Sequence, residues 1–573
     1  MDSLEELISA ARCEIEVDLL LEGADIVNTL SGELHRADVA IRGGRIVGFD
    51  CLSARETIDL TGFVLAPGFI DGHVHIESAM VTVPEYARTV VPKGTTSVIT
   101  DPHEIANILG IEGIRYMLDS SRYVPLNVFI MLSSCVPATN LETSGAVLNA
   151  DSLAGLISDD RVLGIAEMMN YPGVIFRDPE VLKKIKLARA CRKRIDGHSP
   201  KLTGKDLTAY IAAGITSDHE CTSVGEAREK LRQGMYIMVR EGSAAKNILD
   251  LLPLITPKNS RRFMFVSDDR HPADILKEGH IDFMIRTAIK HGLDPILALQ
   301  IASLNAAEYF GLRDLGAIAP GYRADIAVLD DLESPNVMKV FKDGKLVAED
   351  GDLIARLEAA PAPKSSAMKI GMIDAGSFEI KAMSPKARVI GVIPDQIITK
   401  SLVYGVRATE GRIAADTDRD ILKMAVIERH KATGNVGLGL VKGFGLKTGA
   451  IAISVAHDSH NIAVVGISSE DMLASALAVK EMNGGLVVVK DGLLRAKLAL
   501  PVAGLMSERY MREVADGIDD CIDAAHGLGC GLKDPFMTLS FLCLPVIPEL
   551  KLTDLGLVDV NKFAFVPLFV EDA

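Results

Sequence analysis

Histidines recur at the polar ends of apolar segments along this chain. Six of the thirteen do so, namely His73, His75, His103, His198, His219 and His271. His73 and His75 are two positions apart, so both side chains leave an extended strand on the same side. Neutral imidazoles are the commonest metal ligands, and Zn, Mn or Fe accept mixed nitrogen and oxygen donors. The repetition of histidine at several strand ends therefore predicts a metal site.

Acidic residues stand at comparable positions and supply the negative charge that such a site needs. Glu167 ends the run VLGIAE and Asp268 ends RFMFVSD, while Asp101 and Glu104 flank His103. A carboxylate from a central strand can bridge two cations that hold a hydroxide between them, as in two-metal hydrolysis. We expect Glu167 to be that bridge, and Asp268 to bind a cation and accept a proton from water. The alternatives are a rim ion pair for Glu167 and a helix N-cap for Asp268.

The elements that must position these residues alternate between two patterns from 66 to 315. Apolar runs with polar ends, eight in all, are separated by segments of helical periodicity. Eight strand–helix units over about 250 residues predict an α/β fold, a (β/α)8 TIM-like barrel with its chemistry at the carboxyl ends of the strands. The runs are FVLAPGFIDGHVH, TTSVITDPHE, LNVFIMLSS, VLGIAEMMN, RIDGHSP, GITSDHE, MYIMVREGS and RFMFVSDD.

Short strand patterns flank the predicted barrel on both sides. Residues 17–65 and 316–350 carry alternating strands separated by Gly and Asp turns. The two pieces could complete one sheet around the segment between them. We therefore predict a small β-sandwich built from residues 1–65 together with 316–358.

The last third of the chain mixes strand-like and helical runs. The Pro, Ala and Ser stretch 359–368 predicts a linker, and residues 369–573 then predict a C-terminal α+β domain. Within it, the polar group HDSHN follows a strand and contains His457, Asp458 and His460. We expect this group to reach the barrel mouth as a lid or to add metal ligands, with a hydrogen-bonded turn as the alternative.

A glycine-rich stretch in the same region, GNVGLGLVKGFGLKTG at 434–449, resembles a phosphate-binding loop only superficially. It has neither the GxGxxG nor the GxxxxGK[ST] spacing. We therefore predict turns between strands at this place.

Composition and charge limit the class of partner. The 573 residues include 61 Lys and Arg against 77 Asp and Glu, a net charge of -16, which disfavours nucleic acid and anionic membranes. No apolar stretch reaches the roughly 20 residues that span a bilayer. The eight cysteines are scattered, with no CxxC pair, as expected for reduced thiols. These features predict a cytoplasmic protein that does not bind membranes or nucleic acid.

Longer sequence blocks carry a resemblance to a known family. They include PGFIDGHVHIESAM, DPHEIANILG, GIAEMMNYPGV, DGHSP, SDDRHP, HDSHNI and LPVAGLMS. The chain resembles the bacterial and archaeal adenine deaminase family of the amidohydrolase superfamily, from about residue 20 to the last strand. The resemblance implies hydrolysis of adenine to hypoxanthine and ammonia in purine salvage. It also implies two divalent metal ions, Mn or Fe with Zn as a further candidate, held by His73, His75, Glu167, His198, His219 and Asp268. The partner would be a small purine base, and we expect a homo-oligomer, a dimer.

Attack on C6 of a purine places negative charge on the ring, so N1 must receive a proton. Two carboxyl groups could supply it. Glu77 lies two residues beyond His75 on the same strand face, and Glu104 follows His103. The leaving amine also needs a proton, which Asp268 could return after taking it from water.

A further set of residues could orient the metal ligands or frame the substrate. Arg240 and Ser243 follow the seventh strand and could contact substrate, although a buried Arg–Glu pair is an equal alternative. Asp269 and Arg270 could orient the metal ligands or form surface ion pairs. The complete set is Asp101, His103, Arg240, Ser243, Asp269 and Arg270.

Two other functions compete with this reading. A ring-opening amidohydrolase acting on a cyclic amide would use the same metals. Comparing ammonia release from adenine with the hydrolysis of hydantoin or dihydroorotate distinguishes this function from adenine deamination. A metal-binding protein without catalysis is the other alternative, and full metal loading without purine turnover would identify it.

Overall fold

The computed structural model describes residues 3–49, 53–358, 363, 366–394 and 396–570. The chain begins with helix α1 (Leu4–Ala11), which starts at a capping box formed by Ser3 and Glu6. Seven strands follow. They are β1 (Val17–Glu22), β2 (Asp25–Asn28), β3 (Glu33–Arg36), β4 (Val39–Arg42), β5 (Arg45–Phe49), β6 (Ala54–Asp59) and β7 (Val64–Pro67).

Eight parallel strands come next and form the central layer of the molecule. They are β8 (Phe69–Val74), β9 (Thr95–Thr100), β10 (Asn127–Leu132), β11 (Val162–Met168), β12 (Arg194–Gly197), β13 (Ser217–Asp218), β14 (Tyr236–Arg240) and β15 (Phe263–Val266). Strands β8 to β12 pair in sequence order, as do β13 to β15. The N–H of Thr216 donates to the carbonyl of Ile195 at 3.3 Å beside β12 and β13. Val74 pairs with Asp268, just beyond β15. The strands thus follow one another around a ring, as in a TIM-like α/β domain.

Helices cover the outside of these strands. Every residue of β8, β9, β11 and β15 is buried, as parallel strands between helices require. The helices are α2 (Val83–Val90), α3 (His103–Leu109), α4 (Ile111–Ser120), α5 (Ala150–Ala154), α6 (Tyr171–Ile175), α7 (Pro179–Ala190), α8 (Gly204–Ala212), α9 (Val224–Arg232), α10 (Ile248–Leu251), α11 (Pro272–Lys277), α12 (Ile281–Lys290), α13 (Pro295–Ile301) and α14 (Leu304–Phe310).

Two small sheets lie beside the parallel strands. Strands β16 (Ile326–Leu329), β17 (Val337–Lys342), β18 (Lys345–Glu349) and β19 (Asp352–Leu353) join β7, β2 and β3 in a seven-stranded sheet, and β5, β4, β1 and β6 form the other. The antiparallel pairing of β7 with β16 joins segments on the two sides of the barrel. Leu21, Ile41 and Phe341 belong to one apolar cluster drawn from both sheets.

The C-terminal region is built on an eight-stranded sheet. Its order is β21-β20-β25-β24-β27-β26-β28-β29, and helix α15 packs against β26, β27 and β28. The N–H of Thr82 donates to the carbonyl of Ser507 at 3.0 Å, so this region is hydrogen-bonded to the loop after β8. The elements are β20 (Lys386–Val392), β21 (Thr399–Gly405), β22 (Ala408–Thr409), β23 (Arg412–Ile413), β24 (Ile421–Ile427), β25 (Val436–Lys442), β26 (Ala450–Ile453), β27 (Ile462–Gly466), α15 (Ser469–Glu481), β28 (Gly485–Lys490), β29 (Leu493–Ala499), α16 (Met511–Gly527), α17 (Pro535–Phe541), β30 (Leu550–Thr553), β31 (Gly556–Asp559) and β32 (Ala564–Phe565).

The glycine-rich stretch differs from its prediction. Residues 436–442 form strand β25 inside the sheet, paired with β20 and β24, where turns were expected. A side chain at Gly437 would meet the carbonyl oxygen of Thr553 at 1.9 Å, and one at Gly439 would meet Leu552 at 3.2 Å. The glycines therefore allow β30 to pack directly on the strand.

Three further sequence predictions concern the linker over 359–368, the absence of a membrane-spanning segment and the state of the cysteines. Residues 359–362 and 364–365 of the predicted linker lie outside the described residues. Among the helices that the structure describes, none combines the length and apolar character needed to cross a membrane. The seven described cysteines are free thiols.

Candidate metal centre

Glu167 lies at the centre of the buried polar cluster at the carboxyl ends of the parallel strands. It is the penultimate residue of β11, and its side chain is 4% exposed. Its Oε1 faces His75 Nε2 at 3.4 Å and His73 Nε2 at 3.9 Å. Its Oε2 faces His198 Nδ1 at 2.7 Å and His219 Nε2 at 3.2 Å. The two oxygens of one carboxylate thus serve two different pairs of imidazoles.

Asp268 completes the group around Oε1. Its Oδ1 lies 3.1 Å from His75 Nε2 and 3.7 Å from His73 Nε2. Its backbone N–H donates to the carbonyl of His73 at 2.9 Å, and its φ is +53°, in the left-handed region. Asp268 Oδ2 accepts a 2.7 Å hydrogen bond from Arg240. This turn after β15 directs the carboxylate toward His73 in β8 and His75 just beyond it.

Glu220 joins the group around Oε2 and was missed in the sequence analysis. Its Oε1 lies 3.4 Å from His219 Nε2 and 3.8 Å from His198 Nδ1. Arg240 also donates to it. The available signal was its place directly after His219, since strand β13 is only two residues long and the chain bends at once.

The imidazole of His75 is oriented by a second hydrogen bond. Its Nδ1 lies 2.9 Å from the carbonyl oxygen of Asp101, so this nitrogen donates and Nε2 is left to bind. The Asp101 carboxylate accepts from Ser133 at 2.7 Å and lies 3.2 Å from His103 Nδ1. His103 Nδ1 is also 3.6 Å from Glu167 Oε1. Asp101 and His103 therefore border the centre, and their roles in orienting the ligands or binding substrate stay predictions.

The electrostatics of the cluster favour ionised carboxylates. Burial acts to raise the pKa of Glu167, but hydrogen bonds from His198 and His219 lower it well below its usual range. Burial likewise opposes ionisation of Asp268, but Arg240 and His75 bring its pKa well below normal. Burial and the nearby His219 lower the pKa of His73, so that ring is neutral. Anionic carboxylates and a neutral imidazole are the forms that bind divalent cations.

The donor set fits divalent metal ions. His73, His75 and Asp268 offer ligand atoms within 4.8 Å of one another, as do His73, Glu167 and His219. His73 Nε2 is buried and has no hydrogen-bond partner among the described residues. A buried nitrogen of this kind is costly unless a hydrogen bond or a bound cation satisfies it, and His73 Nε2 faces the carboxylates of Glu167 and Asp268, where a cation would do so. Mixed imidazole and carboxylate ligands suit first-row metals.

Glu77 and Glu104 lie beside the centre but have different surroundings. Glu77 is buried, its Oε1 accepts from the N–H of Ile105 at 3.2 Å, and burial raises its pKa to about 7. Glu104 Oε1 lies 3.4 Å from His103 Nε2. Burial acts to raise the pKa of Glu104, but His457, His460 and His103 lower it well below normal.

The HDSHN group of the C-terminal region reaches this site. His457 Nδ1 lies 2.8 Å from Glu104 Oε1, and His460 Nε2 contacts Glu104 Oε2. Asp458 is buried beside them, and burial raises its pKa to about 6. The group is buried and forms a hydrogen-bonded turn that contacts Glu104, and its role as a lid or as a set of metal ligands stays a prediction.

Three remaining predicted residues contact neighbours outside the ligand cluster. The hydroxyl of Ser243 donates to Asp274 and accepts from the N–H of His271 at 2.8 Å. Arg270 is buried and donates to Glu278 at 2.7 Å. Asp269 accepts from Ser78 at 2.5 Å. These contacts brace the loop after β15.

Two family models match the chain, and relatives cover it from end to end. Residues 64–347 match the amidohydrolase family, and residues 396–564 match the adenine deaminase C-terminal domain. An adenine deaminase of Desulfatibacillum aliphaticivorans is 52% identical over 566 residues, 99% of both chains. One of Methanothrix thermoacetophila is 53% identical over 569 residues, 99% of this chain and 100% of the relative. A solved D-hydantoinase from a Bacillus sp. is 18% identical with a TM-score of 0.46, covering 59% of this chain and 97% of that one.

Proposed function

Since this chain belongs to the adenine deaminase family, we propose that it catalyses the hydrolytic deamination of adenine to hypoxanthine and ammonia. The family matches the one predicted from the sequence blocks. The observation that carries the proposal within the site is Glu167, whose two carboxylate oxygens face two separate imidazole pairs. A bridging carboxylate of this kind suits a hydrolase with paired cations.

We propose that two divalent cations bind here, Mn or Fe, with Zn as a third candidate. His73, His75, Asp268 and Oε1 of Glu167 would hold one, and His198, His219 and Oε2 of Glu167 would hold the other. When bound, such cations supply Lewis-acid activation of water and lower its pKa. The carboxylates balance their charge within a buried site.

Asp268 is the proposed proton carrier between water and the leaving amine. Its Oδ1 faces the imidazoles, while Arg240 holds Oδ2. The attacking water gives one proton to Asp268 as its oxygen bonds to C6 of adenine. Asp268 returns this proton to the amino group, which leaves as ammonia when the C6–N bond breaks.

Glu104 is the proposed partner of purine N1. A single imidazole, His103, lies between Glu104 and Glu167, which places Glu104 one ring away from the Glu167 carboxylate. Glu77 instead accepts the N–H of Ile105 and so braces the start of α3. The pair formed by Glu104 and His457 gives one proton to N1 through Glu104 during attack, and it regains one from the new hydroxyl group as the C6 carbonyl forms.

The proton that Glu104 delivers is held between two residues. His457 lies 2.8 Å from Glu104, and although burial acts to lower its pKa, this carboxylate raises it to about 9. The pair therefore carries one proton at neutral pH. Proton transfer to a reacting group by a positioned side chain contributes about 100- to 10,000-fold to rate.

Ammonia release tests the reaction. Protein reconstituted with Mn, Fe or Zn is incubated separately with adenine, adenosine, guanine, hydantoin and dihydroorotate, while bound metal is measured. We expect ammonia and hypoxanthine from adenine, and two metal equivalents per chain. Hydrolysis of a cyclic amide without turnover of adenine would contradict the proposal, as would full metal loading with no turnover.

The domain boundaries are also proposals. We propose a small β-sandwich domain from residues 1–65 with 316–358, a catalytic barrel over 66–315 and a C-terminal domain over 369–573. The pairing of β7 with β16 and the shared apolar cluster support the first of these. A homo-oligomer and a cytoplasmic location remain predictions from the sequence.

A further inference from the structure

The turn between β26 and β27 belongs to the active site, although it lies far from the barrel in sequence. We propose that His457 and His460 are positioning residues that clamp the Glu104 carboxylate against the substrate's N1. This inference rests on the proposed function of Glu104. The relative exposure of His460 is 0%, and Glu104 and His457 are also buried.

Each oxygen of Glu104 is engaged by a different imidazole of this turn. His457 Nδ1 lies 2.8 Å from Oε1, and His460 Nε2 contacts Oε2. The ring of His457 is itself stacked on Phe541, with centroids 4.7 Å apart. A glutamate has three side-chain torsions, so two donors at fixed places remove most of its freedom. The acid is then aligned before the substrate arrives.

Buried hydrogen bonds hold the turn in its shape. The carbonyl of Ser459 lies 2.7 Å from His430 Nε2, and the side-chain amide of Asn461 donates to the carbonyl of Thr143 at 2.8 Å. His460 has a φ of +56°, in the left-handed region, and its N–H donates to the carbonyl of Ala456 at 2.7 Å. The tight backbone conformation is thus fixed at several points.

Arg429 holds the same turn in place through hydrogen bonds to backbone carbonyls. Its guanidinium is fully buried and donates to four backbone carbonyls, those of His460, Ala367, Ala503 and Ser454. Burial lowers the pKa of Arg429 to about 9. Burying a cation among carbonyls is costly, and here the cation fixes the segment that carries His460.

A third metal ion is the competing explanation for this cluster, because Glu104, His457 and His460 offer ligand atoms within 4.8 Å of one another. The hydrogen bonding of His460 argues against it. Its Nδ1 is buried and has no partner among the described residues. An imidazole that binds a metal normally donates its other N–H, whereas an imidazole donating through Nε2 leaves only a lone pair on Nδ1.

Donor replacement separates the two explanations. The side-chain amide nitrogen of Asn can take the place of His Nδ1, and that of Gln can take the place of His Nε2. His457→Asn and His460→Gln therefore keep the hydrogen-bond donors to Glu104, whereas His457→Leu and His460→Leu remove them. We expect each Leu variant to lower kcat about 10- to 100-fold, with KM within about 3-fold and metal content unchanged. Each amide variant should recover most of this loss. A lost metal equivalent, or failure of both amides to rescue, would overturn the proposal.

A double-mutant cycle with Glu104→Gln tests whether the two histidines act through Glu104. If His460 acts through Glu104, His460→Leu should cost almost nothing further in the Glu104→Gln background. Additive losses would overturn the clamp. If Glu104→Gln alone keeps wild-type kcat, the proposed role of Glu104 is wrong. If it is inactive while both Leu variants are fully active, the clamp alone is wrong.

Discussion

At the scale of the residue, Asp268 shows how a turn after a strand orients a carboxylate. Its left-handed backbone, with φ at +53°, is unusual for a residue with a side chain. The hydrogen bond to His73 and the contact with Arg240 hold it there. Sequence could predict that Asp268 follows β15. It could not predict the turn, because that depends on a strand nearly 200 positions earlier.

Arg240 should therefore affect turnover by holding the Asp268 carboxylate in place. We expect Arg240→Gln to lower kcat/KM about 10- to 100-fold, because Asp268 and Glu220 lose the cation that orients both. The measurement is ammonia release at fixed metal loading. Arg261→Gln is the matched control, since Arg261 pairs with Glu308 at the surface, and it should leave turnover unchanged. Equal effects of the two variants would refute this role.

At the scale of the element, prediction succeeded where periodicity marks a strand and failed where packing decides. His73 in β8 and His75 just beyond it are two positions apart, and that spacing alone predicts a shared direction. Glu220 was missed because its strand has only two residues. The glycine-rich β25 was predicted as turns because glycine recurs within it and around it, while the reason for the glycines lies in β30, more than 100 residues away.

Gly437→Ala tests whether β25 needs glycine at this position so that β30 can pack on it. The added methyl group would meet the Thr553 carbonyl at 1.9 Å, so β25 or β30 must shift. We expect a loss of about 1–3 kcal/mol, typical of overpacking, seen as a lower Tm. Gly527→Ala is the control, because nothing lies within 4 Å of its added carbon in α16. An unchanged Tm for Gly437→Ala would contradict the packing account.

At the scale of the whole molecule, a buried amine outside the site contributes to the pH dependence of stability. Lys551 has 0% exposure and donates to the carbonyls of Ile397 and Phe541, both at 2.9 Å. Burial lowers its pKa from 10.5 to about 7. Between these values the unfolded chain binds the proton more tightly, so the contribution of Lys551 makes stability rise with pH over this window.

Lys551→Met should flatten that dependence. The Tm of the wild type should rise more between pH 7 and pH 9 than the Tm of the variant. Over this range the buried Lys551 of the wild type loses its proton, so the free-energy cost of burying a cation disappears, whereas Met has no charge at either pH. Thermal unfolding at the two pH values provides the measurement. Lys562→Met is the control, since Lys562 forms a surface pair with Asp559. An equal pH response of wild type and Lys551→Met would refute the assignment.

The clamp on Glu104 has a consequence for protein synthesis. His460 follows Glu104 by 356 positions, so a ribosome translates the entire barrel and every proposed metal ligand before the clamping turn exists. A nascent chain that stops short of this turn therefore holds an unfastened acid. Under the proposed clamp, catalytic competence therefore waits until residue 460 has been translated.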